Sequence, residues 1–150
     1  MSGDLPGQDT EPQAAGRIRA LVVDDEATSR DILENMLNEI AIVETVESGI
    51  QAIGAVTASL VNRKPYDLIT MDISMPGMDG IEALRIIRTV ELEFGDIASS
   101  KILMATSSTQ HQHIVDSYNY KCEGFLFKPF SVDEMHAKLR VLGLCHDDAA

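Results

Sequence analysis

The stretch from residue 68 to residue 80 reads Leu68-Ile69-Thr70-Met71-Asp72-Ile73-Ser74-Met75-Pro76-Gly77-Met78-Asp79-Gly80. Its first four residues are apolar or β-branched, as in a buried strand, and the run ends in the carboxylate of Asp72. A Pro-Gly turn follows, and Asp79 then precedes a helical pattern. The stretch predicts a buried strand that delivers an aspartate to the rim of a sheet.

Two further apolar runs end in charged residues in the same way. Residues 21–23 are followed by Asp24 and Asp25, and residues 125–127 are followed by Lys128. Three predicted strand ends therefore supply three aspartates and one lysine. We predict that these four side chains converge on one site.

Composition restricts the class of protein. The chain has 150 residues, 45% hydrophobic and 24% charged, which is typical of one soluble globular domain. Its net charge of -12 argues against binding to nucleic acid or to an anionic membrane through the overall field. No apolar run approaches the ~20 residues of a membrane span, and no signal peptide is apparent. Two cysteines without a CxxC spacing predict free thiols and a cytoplasmic protein.

The ends of the chain differ in composition from its centre. Residues 1–16 are rich in Gly, Pro, Gln and acidic residues and have almost no apolar side chains, so we predict a disordered N-terminal tail. One folded domain is predicted over residues 17–145, and residues 146–150 form a short C-terminal tail. No effector domain is expected after Leu144.

Apolar patterning predicts five strands that alternate with five helices. The strands are predicted at residues 18–23, 42–46, 67–71, 101–105 and 124–127. Two helices are predicted at 28–40 and 109–118, and the others begin at caps supplied by Ser48, Asp79 and Ser131. The residues expected to face the core in the second and third helices are Ile50, Ile53, Val56, Leu60, Ile81, Leu84, Ile87 and Leu92.

This alternation predicts an α/β fold with a five-stranded parallel sheet and helices on both faces. The predicted strand order is 2-1-3-4-5, as in doubly wound, flavodoxin-like folds. Such sheets bind ligands beyond the carboxyl ends of the strands, where the strand order reverses. For this order that point lies between strands 1 and 3, which end in Asp24-Asp25 and in Asp72.

Three carboxylates in one crevice repel each other, and a hard divalent cation relieves that repulsion. Mg²⁺ prefers oxygen ligands, so Asp24, Asp25 and Asp72 are its candidate ligands, together with the backbone carbonyl of Ser74. Asp72 can also attack a phosphoryl group and form an acyl phosphate. Lys128 would then neutralise the transferred group, and the hydroxyl of Thr106 would bind one of its oxygens.

From Ile18 to Leu144 the chain resembles the receiver domain of two-component response regulators. The resemblance rests on five features in order along the chain. They are the acidic pair Asp24-Asp25, the phosphoacceptor Asp72, the signature Met75-Pro76-Gly77-Met78-Asp79-Gly80, the switch hydroxyl Thr106 and the motif Lys128-Pro129-Phe130. The resemblance further implies a switch aromatic at Phe125 and a cis bond before Pro129.

The resemblance implies a stand-alone, chemotaxis-regulator-like switch that requires Mg²⁺. A histidine kinase or histidine phosphotransfer protein would phosphorylate Asp72, and output would run through contacts with a downstream protein. Such a protein promotes its own phosphorylation and dephosphorylation but is not a dedicated enzyme. A phosphorylation-linked homodimer is compatible with it. Chemotaxis, phosphorelay and adaptor roles stay open.

Three alternatives belong to other classes. A phosphatase of the haloacid dehalogenase type needs a second Asp two residues after the first, where this chain has Ser74. An electron carrier resembling flavodoxin needs a glycine- and hydroxyl-rich phosphate loop after strand 1, where this chain has Asp24-Asp25-Glu26. A degenerate receiver would bind partners without phosphorylation, but the full set of matched residues argues against it.

Overall fold

The computed structural model describes residues 16–95, 99–107 and 110–145. Both predicted tails lie outside these ranges, except for Gly16. The elements are β1 (Ile18–Val23), α1 (Ala27–Leu37), β2 (Ala41–Val46), α2 (Gly49–Val61), β3 (Leu68–Asp72), α3 (Gly80–Phe94), β4 (Lys101–Thr106), α4 (His111–Asn119), β5 (Gly124–Phe127) and α5 (Val132–Val141).

The five strands form one sheet in the order β2-β1-β3-β4-β5, and every neighbouring pair is parallel. The predicted fold class and order are therefore confirmed. In the register, Val23 lies beside Met71 and Asp72 lies beside Ala105. The carboxyl ends of β1, β3 and β4 consequently lie at one rim of the sheet.

The core has two layers because successive strand residues point to opposite faces. In β1, Leu21 and Val23 pack in the layer beneath α2 and α3, whereas Ala20 and Val22 pack in the layer beneath α1 and α5. β3 is buried along its whole length. Both faces of the sheet are thus covered by helices, and the charged residues at the strand ends are left at its rims.

The three predicted helix caps are present, whereas α1 begins at Ala27 rather than at residue 28. The Asp79 side chain accepts a hydrogen bond from the Glu82 N–H at 2.9 Å, and Ser131 and Glu134 form a complete capping box. Ser48 accepts from the Gln51 N–H at 3.1 Å, but the Gln51 side chain accepts from the Glu47 N–H. Ser48 therefore caps α2 as predicted, but Ser48 and Gln51 form only half of a capping box.

Two predicted core residues are exposed. Ile50 is 68% exposed because the first turn of α2 buries Gly49 and Ala52, and Ile50 does not lie on that buried face. Leu92 is 82% exposed because the buried position beside it is taken by Glu91.

Glu91 is buried because it belongs to a set of charges at the amino ends of β4 and β5. Arg88 Nη1 lies 2.7 Å from Glu91, and Arg88 Nη2 lies 2.9 Å from Glu123. We call Arg88, Glu91 and Glu123 the amino-rim cluster.

Several boundaries differ from the prediction. α1 ends at Leu37 rather than at residue 40, and β2 begins at Ala41 rather than at Ile42. β3 is shifted by one residue and includes Asp72, and β4 extends to Thr106. The predicted start of the fourth helix, at residue 109, lies outside the described residues. In the part of the chain that the structure describes, no helix is both long and apolar enough to span a bilayer.

Candidate functional site

The structure brings the three predicted carboxylates together. Asp24 directly follows β1, and Asp72 is the last residue of β3, the strand paired with β1. One oxygen from each of Asp24, Asp25 and Asp72 lies within 4.8 Å of those of the other two. Because parallel neighbours end at the same rim, the fold itself concentrates this negative charge.

Lys128 reaches the same point from the loop after β5. Its Nζ lies 2.9 Å from Asp24 Oδ2 and 3.6 Å from Asp72 Oδ1. The bond between Lys128 and Pro129 is cis, as the resemblance implied. We call Asp24, Asp25, Asp72 and Lys128 the carboxyl-rim site.

The aspartates of this site have different surroundings. Asp24 is fully buried, and its two oxygens accept from Lys128 Nζ and from the Glu26 N–H, the latter at 2.9 Å. Asp72 is 6% exposed, whereas Asp25 is exposed. Asp24 is therefore held by hydrogen bonds, and the oxygens of Asp25 and Asp72 are more open to a ligand.

The environment raises the pKa of Asp72 to about 7. Burial is the main cause, because it disfavours the charged carboxylate. The ammonium of Lys128 opposes this effect, and the carboxylates of Asp24 and Asp25 add to it. The pKa of Lys128 is also raised, although burial acts against its charge, because Asp24 and Asp72 stabilise the ammonium.

Two glycines shape the loop that follows Asp72. A Cβ atom at Gly80 would lie 2.1 Å from the Asp72 carbonyl oxygen, so only glycine lets the start of α3 approach the site so closely. The Gly80 N–H donates to the Ile73 carbonyl at 2.8 Å and closes the loop. Gly77 has φ +77°, in the left-handed region that favours glycine. The signature stretch therefore serves to hold the backbone of Asp72 against α3.

Residues 20–140 match the sequence model of the response regulator receiver domain. The chain belongs to this family. The Bacillus subtilis chemotaxis protein CheY is 34% identical over 119 residues, which are 78% of this chain and 90% of that protein. The Vibrio cholerae chemotaxis protein CheY-3 is 28% identical over 122 residues, covering 81% of this chain and 88% of the relative.

A solved receiver domain is also similar. The receiver domain of the Arabidopsis thaliana histidine kinase CKI1, complexed with Mg²⁺ and BeF3⁻, superposes with a TM-score of 0.77 at 30% identity. The match covers 89% of this chain and 95% of that domain. The receiver prediction and its chemotaxis-regulator-like character are therefore confirmed, and the phosphatase and electron-carrier alternatives are disfavoured.

Two other predicted site residues lie on loops or strand ends of the receiver domain. Thr106 is the last residue of β4 and is buried, and its carbonyl accepts from the Lys128 N–H at 2.8 Å. The threonine and the lysine are thus joined through their backbones at the rim. Ser74 is exposed, two residues after Asp72, and the role of its carbonyl in metal binding stays a prediction.

Phe125 is buried in the receiver domain at 4% exposure. Its ring lies 5.6 Å from that of Tyr118 on α4 and is stacked at 5.5 Å on that of Phe127. Tyr118 and Phe127 are 52% and 44% exposed. The predicted switch aromatic therefore occupies an inward position, linked to α4 and to the surface by ring contacts.

One site residue was missed by sequence reasoning. Arg30 on α1 donates from Nη1 to the backbone carbonyl of Asp24 at 2.8 Å. Its side chain also approaches Glu47, with 3.7 Å between Nη2 and Oε2. No sequence pattern marks this residue, because an arginine on a polar helix face is ordinary and its partner is a backbone atom.

Proposed function

We propose that this receiver domain is a phosphorylation-dependent signalling switch and that Asp72 is its phosphoacceptor. The single observation that supports this most is the position of Asp72. Its carboxylate lies at the sheet rim, 3.6 Å from the Lys128 ammonium and beside the carboxylates of Asp24 and Asp25. A nucleophilic oxygen, a fixed cation and a set of oxygen ligands are what phosphoryl transfer requires.

The proposed step is an exchange of one bond to phosphorus. A lone pair of the Asp72 carboxylate attacks the phosphorus of a phosphohistidine on a kinase or phosphotransfer protein. The new O–P bond gives an acyl phosphate, and the N–P bond breaks with its electron pair going to the imidazole. Lys128 stabilises the charge on the transferred oxygens, and the Thr106 hydroxyl donates to one of them. Attack by water later returns phosphate and the free carboxylate.

The carboxyl-rim site suits a Mg²⁺ ion. It offers three carboxylates and only one ammonium, and Mg²⁺ is a hard cation that prefers oxygen ligands. Asp24, Asp25 and Asp72 would hold the ion with the Ser74 carbonyl. A bound Mg²⁺ would neutralise charge on the phosphoryl oxygens during transfer.

The raised pKa of Asp72 bears on this reaction. With its pKa raised to about 7, Asp72 holds a proton more readily near neutral pH than an ordinary aspartate does. A protonated carboxyl is a poor nucleophile, so an added cation near Asp72 would promote the reactive carboxylate form.

The switch would act through the neighbouring strand ends. Phosphorylation adds negative charge beside Lys128 and Thr106, whose backbones are hydrogen-bonded to each other. Phe125 lies three residues before Lys128, on the strand that leads to it. Movement of these residues would change the surface around α4 and β5, which a downstream target protein would recognise.

The remaining proposals follow from this function. The chain would act in the cytoplasm through protein contacts, not through nucleic acid or membrane binding. It would not be a dedicated enzyme, since the group that reacts is its own Asp72. A homodimer linked to phosphorylation is compatible with such a switch.

The test is intact mass after incubation with Mg²⁺ and acetyl phosphate. We expect wild type to gain one phosphoryl mass and Asp72→Asn to gain none. Asp67→Asn is the matched control, because Asp67 precedes the other end of β3, and we expect it to be labelled like wild type. Equal labelling of Asp72→Asn would overturn the assignment. No labelling of wild type, from acetyl phosphate or from a phosphorylated kinase, would favour a receiver that binds partners without phosphorylation.

A further inference from the structure

Arg30 joins two loops beside the carboxyl-rim site. Its guanidinium donates to the Asp24 carbonyl at 2.8 Å, in the loop after β1. Its other terminal nitrogen lies 3.7 Å from Glu47, in the loop after β2. The arginine side chain is 16% exposed, whereas that of Glu47 is 65% exposed. The bond to the carbonyl is therefore the sheltered contact, and the ion pair is the solvated one.

The Asp24 carbonyl belongs to the peptide unit that leads into Asp25. A peptide unit is planar, so fixing its oxygen also fixes the orientation of the following N–H and the direction in which the chain enters Asp25. The side chain of Asp24 is held separately, by Lys128 and by the Glu26 N–H. The contact with Arg30 therefore bears mainly on Asp25, the exposed aspartate of the site.

We propose that Arg30 is a positioning residue that orients the Asp24–Asp25 peptide and thereby places the Asp25 carboxylate for metal binding. The inference rests on the proposed function, since it deepens the account of the metal site. A guanidinium suits this task because it is always charged and its planar donors can serve two acceptors at once. A hydrogen bond from a charged donor is also stronger than one from a neutral donor.

Neighbouring contacts support this role. The Asp24 N–H donates to the Val46 carbonyl at 3.2 Å, so the two loops are already joined on the strand side. Arg30 joins them a second time, on the helix side, through Asp24 and Glu47. The peptide between Asp24 and Asp25 is thus held by contacts outside the carboxylates, which leaves Asp25 itself available to a cation.

The test uses the full chain with Arg30→Met, Arg30→Lys and Glu47→Gln, and with Arg88→Met as control. Arg88→Met removes more hydrogen bonds than Arg30→Met does, and it removes them at the opposite rim. It therefore shows how a loss of stability alone changes Mg²⁺ affinity. Two quantities are measured: the Mg²⁺ dissociation constant by titration calorimetry, and the backbone amide resonance of Asp25 without metal. The second readout does not depend on metal binding.

We expect Arg30→Met to weaken Mg²⁺ binding about tenfold and to shift the Asp25 amide resonance. Arg30→Lys should restore most of the affinity, Glu47→Gln should lose two- to threefold, and Arg88→Met should match wild type. Unchanged affinity in Arg30→Met would overturn the inference, whether or not the amide shifts. If Arg30→Met does not fold, an unchanged affinity together with an unshifted Asp25 amide in Glu47→Gln would overturn it. If wild type itself does not bind Mg²⁺, the metal site of the proposed function fails instead.

Discussion

At the carboxyl rim of the sheet three carboxylates lie beside one ammonium, whereas at the amino rim Arg88 pairs with two carboxylates that also have backbone partners. Glu91 accepts from the Ser100 N–H at 2.9 Å, and Glu123 accepts from the Ile102 N–H at 2.7 Å. Arg88 itself donates further to the carbonyls of Ser100 and Lys121.

The two rims separate buried charges that contribute to stability from buried charges that serve function. At the amino rim the buried carboxylate of Glu91 is paired with Arg88 and accepts from the Ser100 N–H, so its burial is compensated. At the carboxyl rim the negative charges outnumber the single ammonium, and the pKa of Asp72 is raised as a result of burial and repulsion. The uncompensated carboxylates of the carboxyl rim lower the stability of the fold and favour the binding of a cation.

The largest change in stability is expected from a substitution at the amino rim. Arg88→Met should lower the free energy of unfolding by about 3 to 5 kcal/mol, because it leaves the buried carboxylate of Glu91 without its ion pair. Mg²⁺ affinity should stay within twofold of wild type, since the two rims share no residue. Urea unfolding and calorimetric titration measure the two quantities.

Arg85→Met is the control for that change, because Arg85 also pairs with a glutamate on α3, at 2.5 Å from Glu82, but at an exposed position. It should change stability much less. An equally small effect of Arg88→Met would mean that the amino-rim cluster does not stabilise the fold.

The next effect is a gain in stability at the carboxyl rim. In the absence of metal, Asp72→Asn should raise the free energy of unfolding at pH 8 by roughly 4 kcal/mol, from about 1.36 kcal/mol for each unit by which the pKa is raised. The folded pKa, about 7, lies above the ordinary value of 3.8. The stability of wild type that comes from a protonated Asp72 is therefore fully present below pH ~4 and is lost as the pH rises to ~7.

Urea unfolding of both proteins at intervals from pH 4 to pH 8 measures this. The two curves should nearly meet at the acidic end and separate progressively towards neutrality. Parallel curves over the whole range would contradict a raised pKa of Asp72. Asp67→Asn, just before the other end of β3, is again measured as the control.

The smallest change in stability is expected when Mg²⁺ binds and relieves the repulsion between the three carboxylates. Mg²⁺ at about ten times its dissociation constant should stabilise wild type by ~1.4 kcal/mol, from the linkage between binding and unfolding. The affinity should decline as the pH falls through about 7, because protons compete with the cation for Asp72. Thermal unfolding with and without Mg²⁺ at pH 6 and pH 8 measures both.

The control for this prediction is NaCl at the same ionic strength, which screens charge without occupying the site. Equal stabilisation by NaCl and by Mg²⁺ would mean that the carboxyl rim responds to screening alone. Arg88→Met should gain as much from Mg²⁺ as wild type does, although it starts from a lower stability.

Much of the fold was predictable because its signals are local. Each strand is a short apolar run and each helix has its own apolar periodicity, so the alternation was predicted correctly. The strand order 2-1-3-4-5, expected for doubly wound folds, was also correct. The errors occurred where contacts across space decide the outcome. Leu92 was expected in the core, but Glu91 takes the buried position because Arg88 and the Ser100 N–H compensate its charge.

In the site, too, local signals were predicted and contacts across space were missed. The four charged residues of the carboxyl rim were identified because each directly follows, or ends, a predicted strand. Arg30 was missed because its contact is with a backbone carbonyl, and nothing in the side-chain pattern of α1 indicates such a contact.

The amino-acid sequence was enough to predict the family, the parallel sheet and the position of Asp24, Asp25, Asp72 and Lys128 at one rim. The family follows from the resemblance of five motifs, whereas the sheet and the shared rim follow from apolar patterning and from the rule that parallel neighbours end on the same side. The three-dimensional structure was needed to show that Asp24 is fully buried, that the pKa of Asp72 is raised, and that Lys128 bonds a carboxylate 104 residues away in the chain. Burial and electrostatic interaction depend on distances between atoms in space, and the amino-acid sequence does not state those distances.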